Sequence, residues 1–402
     1  MKRQAIGMVA ASLLACSVLS GCQVKPLVLD GTQVAIEVGD EKATLGSLAS
    51  MVRYQQALTY DQYMAMMEQY EAAGYPSQSS AMWSTSLSKE DKKAYQASSD
   101  ALHFKTGLSL DTVGDRMLDS TTSVLVSYMV ASEKAEEYGV SLSDADKAKI
   151  QEVAMEFMKN SDQESLKNNG ITQKDVESYL SYFTLFNRVK EVFMSQQDVV
   201  ISEEEAKTMS VQFLRFPANM SVEEDKKKVS KKASEYLKKA KENADYTFQT
   251  AVEKDYKDAT IGQDTLFVHA PDGSYIFGKE DIEAMERLSE GALYDKVIEG
   301  PDGWYVLQVL NPFDKDATLL QKENLLETKK ETLYRDELAK WIKESKITYH
   351  TNVIDDIVVD DTIIYTSTKV DKESTKDTSK QTDASKSETE KPVDSQSDTD
   401  GK

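Results

Sequence analysis

The hydrophobic pattern of the N-terminal half of the chain is helical. Apolar residues recur every three or four positions through 55–72, 107–138 and 146–159, as on one face of an amphipathic helix. Between the last two segments, Gly139 and the polar residues 141–144 are typical of a helix end followed by a helix start. This part of the chain is therefore predicted to form a helical bundle.

Short polar motifs predict where further helices begin. Thr44 is placed as an N-cap ahead of an apolar repeat, and Thr172 with Asp175 is placed as a capping box ahead of another. Ser202 and Glu205 repeat the capping-box pattern and predict a short helix.

The pattern changes to that of strands in the middle of the chain. Residues 211–216 alternate, and residues 303–310 form an apolar run that is typical of a buried strand. A highly charged helix is predicted over 222–243, with five apolar residues on one side: Val229, Ala233, Tyr236, Leu237 and Ala240. Together these elements predict a small α+β module over 207–313.

The remaining segments predict one more long helix and little regular structure beyond it. Helical periodicity returns over 318–345, and β-like runs follow at 347–349 and 357–365. Near the other end of the chain, residues 34–38 alternate like a short strand. Residues 366–402 are rich in Ser, Thr, Lys and Asp with almost no apolar residue, so this tail is predicted to be disordered.

The N-terminus has the pattern of an export signal. Lys2 and Arg3 precede an apolar run over 6–19, which is too short to span a bilayer comfortably. The run ends in Leu-Ser-Gly-Cys, which resembles a bacterial lipobox, in which Cys22 would be lipidated and become the mature N-terminus. An ordinary secretory signal is the alternative. We expect attachment to the extracytoplasmic face of the cell membrane through a lipid anchor.

Composition narrows the chemistry further. With 48 Lys+Arg against 69 Asp+Glu the formal net charge is −21, so nucleic acid is not an expected partner. The two cysteines, Cys16 and Cys22, both lie in the signal region, which leaves no thiol in the folded part for a disulfide, a metal or catalysis. The three histidines lie far apart. We therefore expect neither a metal nor a cofactor.

These patterns divide the chain into five segments. They are a signal peptide over 1–21, a helical domain over 22–206, the α+β module over 207–313, a C-terminal helix with short strands over 314–365, and the tail over 366–402. The expected fold class is α+β, with a helical bundle formed by both ends of the chain and the small module inserted between them.

The order of these segments resembles the extracytoplasmic foldases of the PrsA and SurA type. In that family a helical chaperone domain, made from both ends of the chain, holds an inserted parvulin-type peptidyl-prolyl isomerase domain. Leu-Ser-Glu-Gly at 288–291 and Gly-Trp-Tyr-Val-Leu-Gln-Val at 303–309 are similar to the parvulin ending. Residues 135–144 resemble the family's helix junction, and residues 262–267 resemble a parvulin Gly-Gly-Asp loop. The resemblance implies that the partners are unfolded or newly secreted polypeptides.

The usual parvulin histidines are absent from this sequence. The alignment places Phe213 at the first histidine and Tyr305 at the second, with Asp264 at the acidic position and Phe277 near a pocket phenylalanine. The resemblance thus makes Asp264 the candidate catalytic residue and the three aromatic residues candidates for substrate binding. Core packing for the rings and a turn or capping role for Asp264 are the alternatives.

Three functions follow from these observations. We expect a foldase or chaperone for secreted proteins, whose parvulin-like module binds rather than strongly catalyses. An active peptidyl-prolyl cis-trans isomerase is the first alternative, and a non-catalytic scaffold or solute-binding lipoprotein is the second. Solute-binding lipoproteins usually show alternating strands and helices, whereas residues 44–195 have a continuous helical pattern.

Two further groups of residues have competing interpretations. His269 precedes a turn signature and is expected to be a solvated loop residue. A set of methionines and tyrosines forms either an adaptable apolar surface for unfolded chains or an ordinary mixture of core and surface positions. Its members are Tyr54, Tyr60, Tyr63, Met64, Met66, Met67 and Tyr70.

Overall fold

A computed structural model describes residues 28–73 and 82–361. In chain order its elements are β1 (Val34–Val38), β2 (Glu41–Thr44), α1 (Leu45–Ala72), α2 (Lys89–Ala101), α3 (Val113–Glu133), α4 (Asp144–Asn160), α5 (Gln163–Asn168), α6 (Gln173–Ser195), β3 (Thr208–Pro217), α7 (Glu223–Glu242), α8 (Phe248–Lys254), β4 (Thr260–Phe267), α9 (Lys279–Met285), β5 (Ile298–Gly300), β6 (Gly303–Asn311), α10 (Lys315–Glu344), β7 (Ile347–Tyr349) and α11 (Thr351–Ile354).

The chain divides into two compact units. Unit 1 contains the described residues up to Val189 and from Trp341 onward, and unit 2 is Lys190–Lys340. Each unit contains helices and an antiparallel sheet, so the fold class is α+β. The unit limits fall inside α6 and α10, whereas the strands β3 to β6 lie within the predicted module limits of 207–313.

Several predicted features lie outside the described residues. They are the signal peptide over 1–21, the lipidated Cys22 and the tail over 366–402. Within the described part of the chain, no helix has both the length and the apolar character needed to cross a membrane.

The sheet of unit 1 joins the two ends of the described chain. Its strand order is β2-β1-β7, and both pairings are antiparallel. Val38 in β1 pairs with Ile347 in β7, and Ile36 pairs with Tyr349. Ile36 and Val38 are fully buried, so the N-terminal strand and the C-terminal segment share one core.

The predicted helix starts in unit 1 are present. The Thr44 hydroxyl accepts a hydrogen bond from the Ser47 amide at 3.1 Å, and Thr172 and Asp175 form the reciprocal bonds of a capping box. Thr44 also donates to the Asp175 carboxylate at 2.6 Å, so the caps of α1 and α6 are bonded to each other. Such caps each stabilise a helix by about 1 kcal/mol.

Three predicted elements differ from the structure. The helix expected over 107–138 is shorter, because a capping box at Thr112 starts α3 only at Val113. Ser202 and Glu205 form the bonds of a capping box, yet residues 203–206 make only a turn. The third difference is the strand expected over 357–365, whose described part is not a strand.

Residues 357–361 of the C-terminal segment are fixed by side-chain bonds instead of sheet pairing. The Asp361 carboxylate accepts hydrogen bonds from the amides of Met82, Trp83 and Ser84 at 2.7, 2.9 and 2.8 Å. The pKa of Asp361 is lowered, since these bonds outweigh the opposing effect of burial. The segment therefore holds residues 82–84 against unit 1.

Unit 2 has a four-stranded antiparallel sheet with a core on each face. The strand order is β4-β3-β6-β5. On one face, α7 and α8 pack through a cluster that contains all five apolar residues predicted for the buried side of α7. On the other face, the segment 268–298, which includes α9, covers residues of β3, β4 and β6. The second face carries the residues singled out by the parvulin resemblance.

Candidate functional site

The three aromatic residues identified through the resemblance lie together in unit 2. Their ring centroids are 5.4 Å apart for Phe213 and Tyr305, 6.0 Å for Phe277 and Tyr305, and 6.4 Å for Phe213 and Phe277. All three pairs meet edge to face, the geometry that aromatic quadrupoles favour. We call these residues the aromatic triad.

Register explains why the triad forms. Phe213 and Arg215 are two positions apart on β3, so their side chains point to the same face of the sheet. Arg215 lies opposite Tyr305 of β6, so Phe213 and Tyr305 also project from the same face. Phe277 reaches this face from the segment that covers it. Phe277 is 0% exposed and Tyr305 is 3% exposed, so their rings offer almost no surface to a ligand. Phe213 is only partly buried.

Two glycines make room for the triad. A Cβ on Gly262 would lie 2.3 Å from Cζ of Phe213, and a Cβ on Gly300 would lie 2.4 Å from Cε2 of Tyr305. Gly262 lies directly opposite Phe213 across the β3 and β4 pair. This relation could not be predicted from the sequence, because the role of a glycine in a strand depends on its cross-strand neighbour.

The hydroxyl group of Tyr305 is already bonded. It donates to the Asp302 carboxylate, which also pairs with the Arg215 guanidinium. Burial and this hydrogen bond raise the pKa of Tyr305, and the same bond lowers the pKa of Asp302. Tyr305 is therefore a neutral phenol at physiological pH. Unlike a histidine, it cannot accept a proton there.

Asp264 lies on the same sheet face as the triad. It pairs with Val211 in the β3 and β4 register, two positions along β4 from Gly262. The segment 262–267 thus belongs to a strand and not to the loop implied by the resemblance. Burial raises the pKa of Asp264, although its Oδ1 accepts a bond from the Thr265 amide at 2.8 Å. A half-buried carboxyl group of raised pKa can donate or exchange a proton near the aromatic rings.

The loop histidine is solvated. The His269 side chain is 46% exposed, and its Nε2 lies 3.8 Å from a Glu204 oxygen. Within the described residues, no group of three or more His, Cys, Asp or Glu side chains is placed to hold a metal ion.

Unit 1 contains a second candidate site, a cleft of about 540 Å³ between α1, α2, α3 and residues 82–83. Its volume lies within the range of ~300–1,000 Å³ that is common for ligand sites. The lining residues are Met51, Gln55, Thr59, Met82, Trp83, Tyr95, Val113, Arg116, Met117, Ser120, Thr121, Val124 and Tyr128. We call this site the methionine cleft.

The lining of the methionine cleft combines adaptable and fixed groups. Met51, Met82 and Met117 come from three different segments, and methionine adapts its shape to irregular apolar partners. Tyr95 is held in place because its hydroxyl donates to the Asp119 carboxylate at 2.6 Å. Arg116 is the one charged residue among the described residues of the lining. The cleft is therefore suited to apolar side chains.

The methionines and tyrosines singled out in the sequence do not line this cleft. Met67 is buried, whereas Tyr54, Met64, Met66 and Tyr70 are exposed at different points around α1. The cleft was not located from the sequence, because its walls come from three helices and residues 82–83, which meet only after folding. The four-residue spacing of Met51, Gln55 and Thr59 on α1 is the one local signal for it.

Comparison with known proteins gave matches only among solved structures. No protein-family description and no curated protein matches the chain. The PrsA foldase of Lactococcus lactis is 13% identical, with 67% of this chain and 95% of that chain covered and a TM-score of 0.28. The peptidylprolyl isomerase PrsA of Bacillus cereus is 14% identical, with coverages of 67% and 92% and a TM-score of 0.29.

A third match has the highest identity of those described here. The PrsA foldase of Streptococcus pneumoniae is 18% identical over 56% of this chain and 84% of that chain, with a TM-score of 0.26. TM-scores below 0.5 do not establish a common fold. The similarity of the chain to solved PrsA structures is thus low, and any assignment of function has to rest on the residues of this chain.

Proposed function

We propose that this protein is an extracytoplasmic, lipid-anchored foldase that holds unfolded or newly secreted polypeptides. The observation that carries the proposal is the methionine cleft. The parvulin-like module over 207–313 is proposed to bind polypeptide rather than to catalyse strongly. The location and the anchor on Cys22 belong to the same proposal and rest on the lipobox pattern of the sequence.

The physical basis of holding is burial of apolar surface. An unfolded chain exposes side chains that folding would bury, and each Å² of apolar surface removed from water contributes about 25 cal/mol. The methionine cleft offers flexible apolar walls, and the backbone of its lining residue Trp83 is fixed by a hydrogen bond from its amide to Asp361. Such a site accepts many different side chains, because methionine can repack around each of them.

The module's aromatic triad argues against strong catalysis. Rotation about an amide bond has a barrier of ~18–20 kcal/mol, and an isomerase lowers it by binding the twisted form most tightly. Phe213 has no group that can donate or accept a proton, and the Tyr305 hydroxyl already donates its hydrogen bond to Asp302. Neither residue can replace a histidine in polarising a prolyl bond.

Aggregation of an unfolded secreted protein tests the holding function. We expect stoichiometric excess of the chain to suppress aggregation and Met117→Gln to weaken the suppression several-fold, because a polar amide in the cleft lowers apolar burial. Met155→Gln is the matched control, since Met155 is 49% exposed on α4 and lies outside the cleft. Absence of suppression by the unchanged chain, or equal losses in the two variants, would contradict the proposal.

Asp264 favours an active isomerase as the second candidate function. Its half-buried carboxyl group lies on the same sheet face as the triad. In a protease-coupled proline isomerisation assay we expect turnover close to background, unchanged by Asp264→Ala. Asp258→Ala, at an exposed aspartate after α8, is the control. Turnover well above background that only Asp264→Ala abolishes would establish the isomerase instead.

A further inference from the structure

The outer surface of α7 carries an unusual concentration of positive charge for so acidic a chain. Residues 226–241 contain eight lysines and one acidic residue, Glu235, although the whole chain has a net charge of −21. The apolar side of the helix is buried in the core of unit 2, which leaves most of the lysines exposed. The exposed side of α7 is therefore a basic surface.

Four of the lysines form one row along the helix. Lys227, Lys231, Lys238 and Lys241 are separated by four, seven and three residues, so they lie on the same face, with Ser234 between the two pairs. The row is about 21 Å long at 1.5 Å per residue. We call it the lysine stripe.

The lysine stripe takes part in no ion pair within the part of the chain that the structure describes. Lys226 pairs with Glu299 and Glu223, and Lys239 pairs with Asp255. The four stripe residues form no ion pair with any residue that the structure describes. The helix dipole accounts only for a charge near the C-terminus of α7, such as that of Lys241, because the dipole acts within the last turn.

The composition of the exposed face identifies the kind of partner. From residue 227 to residue 242 its exposed residues are Lys, Ser and Glu only. A membrane-binding helix inserts an apolar face, and a stable protein interface has aromatic or aliphatic anchors, but the apolar residues of α7 are buried in the module. Nucleobase recognition uses Arg or stacked aromatic rings, which this face lacks. The kind of partner that remains is a chain of phosphates, which the lysines attract by their charge.

We propose that the lysine stripe binds a linear anionic polymer with a phosphodiester backbone. Lysine ammonium groups act as point charges on phosphates, and binding gains free energy from the release of the polymer's counterions. A row of cations along a straight helix lets a flexible polyanion follow it. The site is separate from the methionine cleft and from the aromatic triad, so it adds a second binding partner to the proposed function.

Binding of labelled poly(glycerol phosphate) to the full chain tests this proposal by fluorescence anisotropy. At about 50 mM salt we expect the quadruple variant K227Q/K231Q/K238Q/K241Q to bind at least about tenfold more weakly than the unchanged chain. The negative slope of log K against log salt should become shallower by about 3, since four phosphate contacts are lost and each contributes ~0.7 to the slope. Glutamine keeps the helix propensity of lysine, so α7 should remain folded.

The control variant makes the same charge change elsewhere. K93Q/K105Q/K159Q/K174Q removes four exposed lysines of unit 1 and should leave the affinity within about twofold. Equal losses in the two quadruple variants, or no binding by the unchanged chain, would overturn the proposal. Phosphatidylglycerol vesicles and poly-glutamate are the competing ligands. If either binds as tightly as the polymer and loses this binding in the quadruple stripe variant, the proposal is also overturned.

Discussion

Phe277→Ala is expected to lower the free energy of unfolding of unit 2 by about 3–5 kcal/mol. The Phe277 side chain is fully buried, and its ring contacts those of Phe213 and Tyr305. Truncation removes this apolar surface from the core and leaves a cavity that the sheet cannot close. The edge-to-face contacts add to the loss, since each is worth ~0.5–1.5 kcal/mol beyond area.

Tyr275→Ala is the matched control for this variant. Tyr275 lies two residues away on the same covering segment but is 82% exposed, so its loss should change stability by no more than about 0.5 kcal/mol. Hydrogen exchange at the amides of β3 and β6 measures the opening of unit 2 separately from unit 1. A Phe277→Ala effect below about 1 kcal/mol would mean that the triad is the wall of an open groove and not part of the core.

Arg53→Ala is expected to lower the free energy of unfolding of unit 1 by about 3–5 kcal/mol. Arg53 is only 1% exposed on α1, and its guanidinium donates to Asn169 and Gln56 at 2.8 Å and to the Val358 carbonyl at 2.9 Å. Removing it leaves two buried acceptors and the partly buried Val358 carbonyl without this donor, and it also creates a cavity. Bonds to a charged group contribute ~1.5–3 kcal/mol each.

The effect of Arg53→Ala should extend to the methionine cleft. Val358, which Arg53 holds, is three residues before Asp361, and the Asp361 carboxylate binds the amides of Met82 and Trp83 in the cleft wall. We therefore expect faster hydrogen exchange at residues 82–84 in this variant. Arg335→Ala, at an exposed arginine of α10, should leave the same amides unchanged. Unchanged protection in Arg53→Ala would contradict this role of the C-terminal segment.

Local sequence signals predicted many of the elements well. The strand at 34–38, the caps at Thr44 and Thr172, and the buried side of α7 are present as expected. These features depend on side chains within four residues of one another, or on strict periodicity. The helix α2 was not predicted, because none of its residues is buried and it has no apolar stripe.

The candidate sites were predicted less evenly. The resemblance singled out Phe213, Phe277 and Tyr305, and the structure brings their rings together. It did not reveal that Gly262 and Gly300 make room for two of them, since those contacts cross between strands. The methionine cleft was not predicted, because the cavity exists only after α1, α2 and α3 have packed together.

The distribution of charge shows most clearly which properties follow from the sequence and which depend on the folded structure. A net charge of −21, the absence of cysteine after residue 22, and a charged helix over 222–243 with one apolar side all follow from the sequence alone. Which of the charges are neutralised depends on how the chain packs. Packing buries the apolar side of α7 and pairs Lys226 and Lys239 with carboxylates of other elements, while the lysine stripe is left without a described partner. A composition sums charges over the chain, whereas a binding partner experiences only those that folding places side by side within a Debye length of ~8 Å.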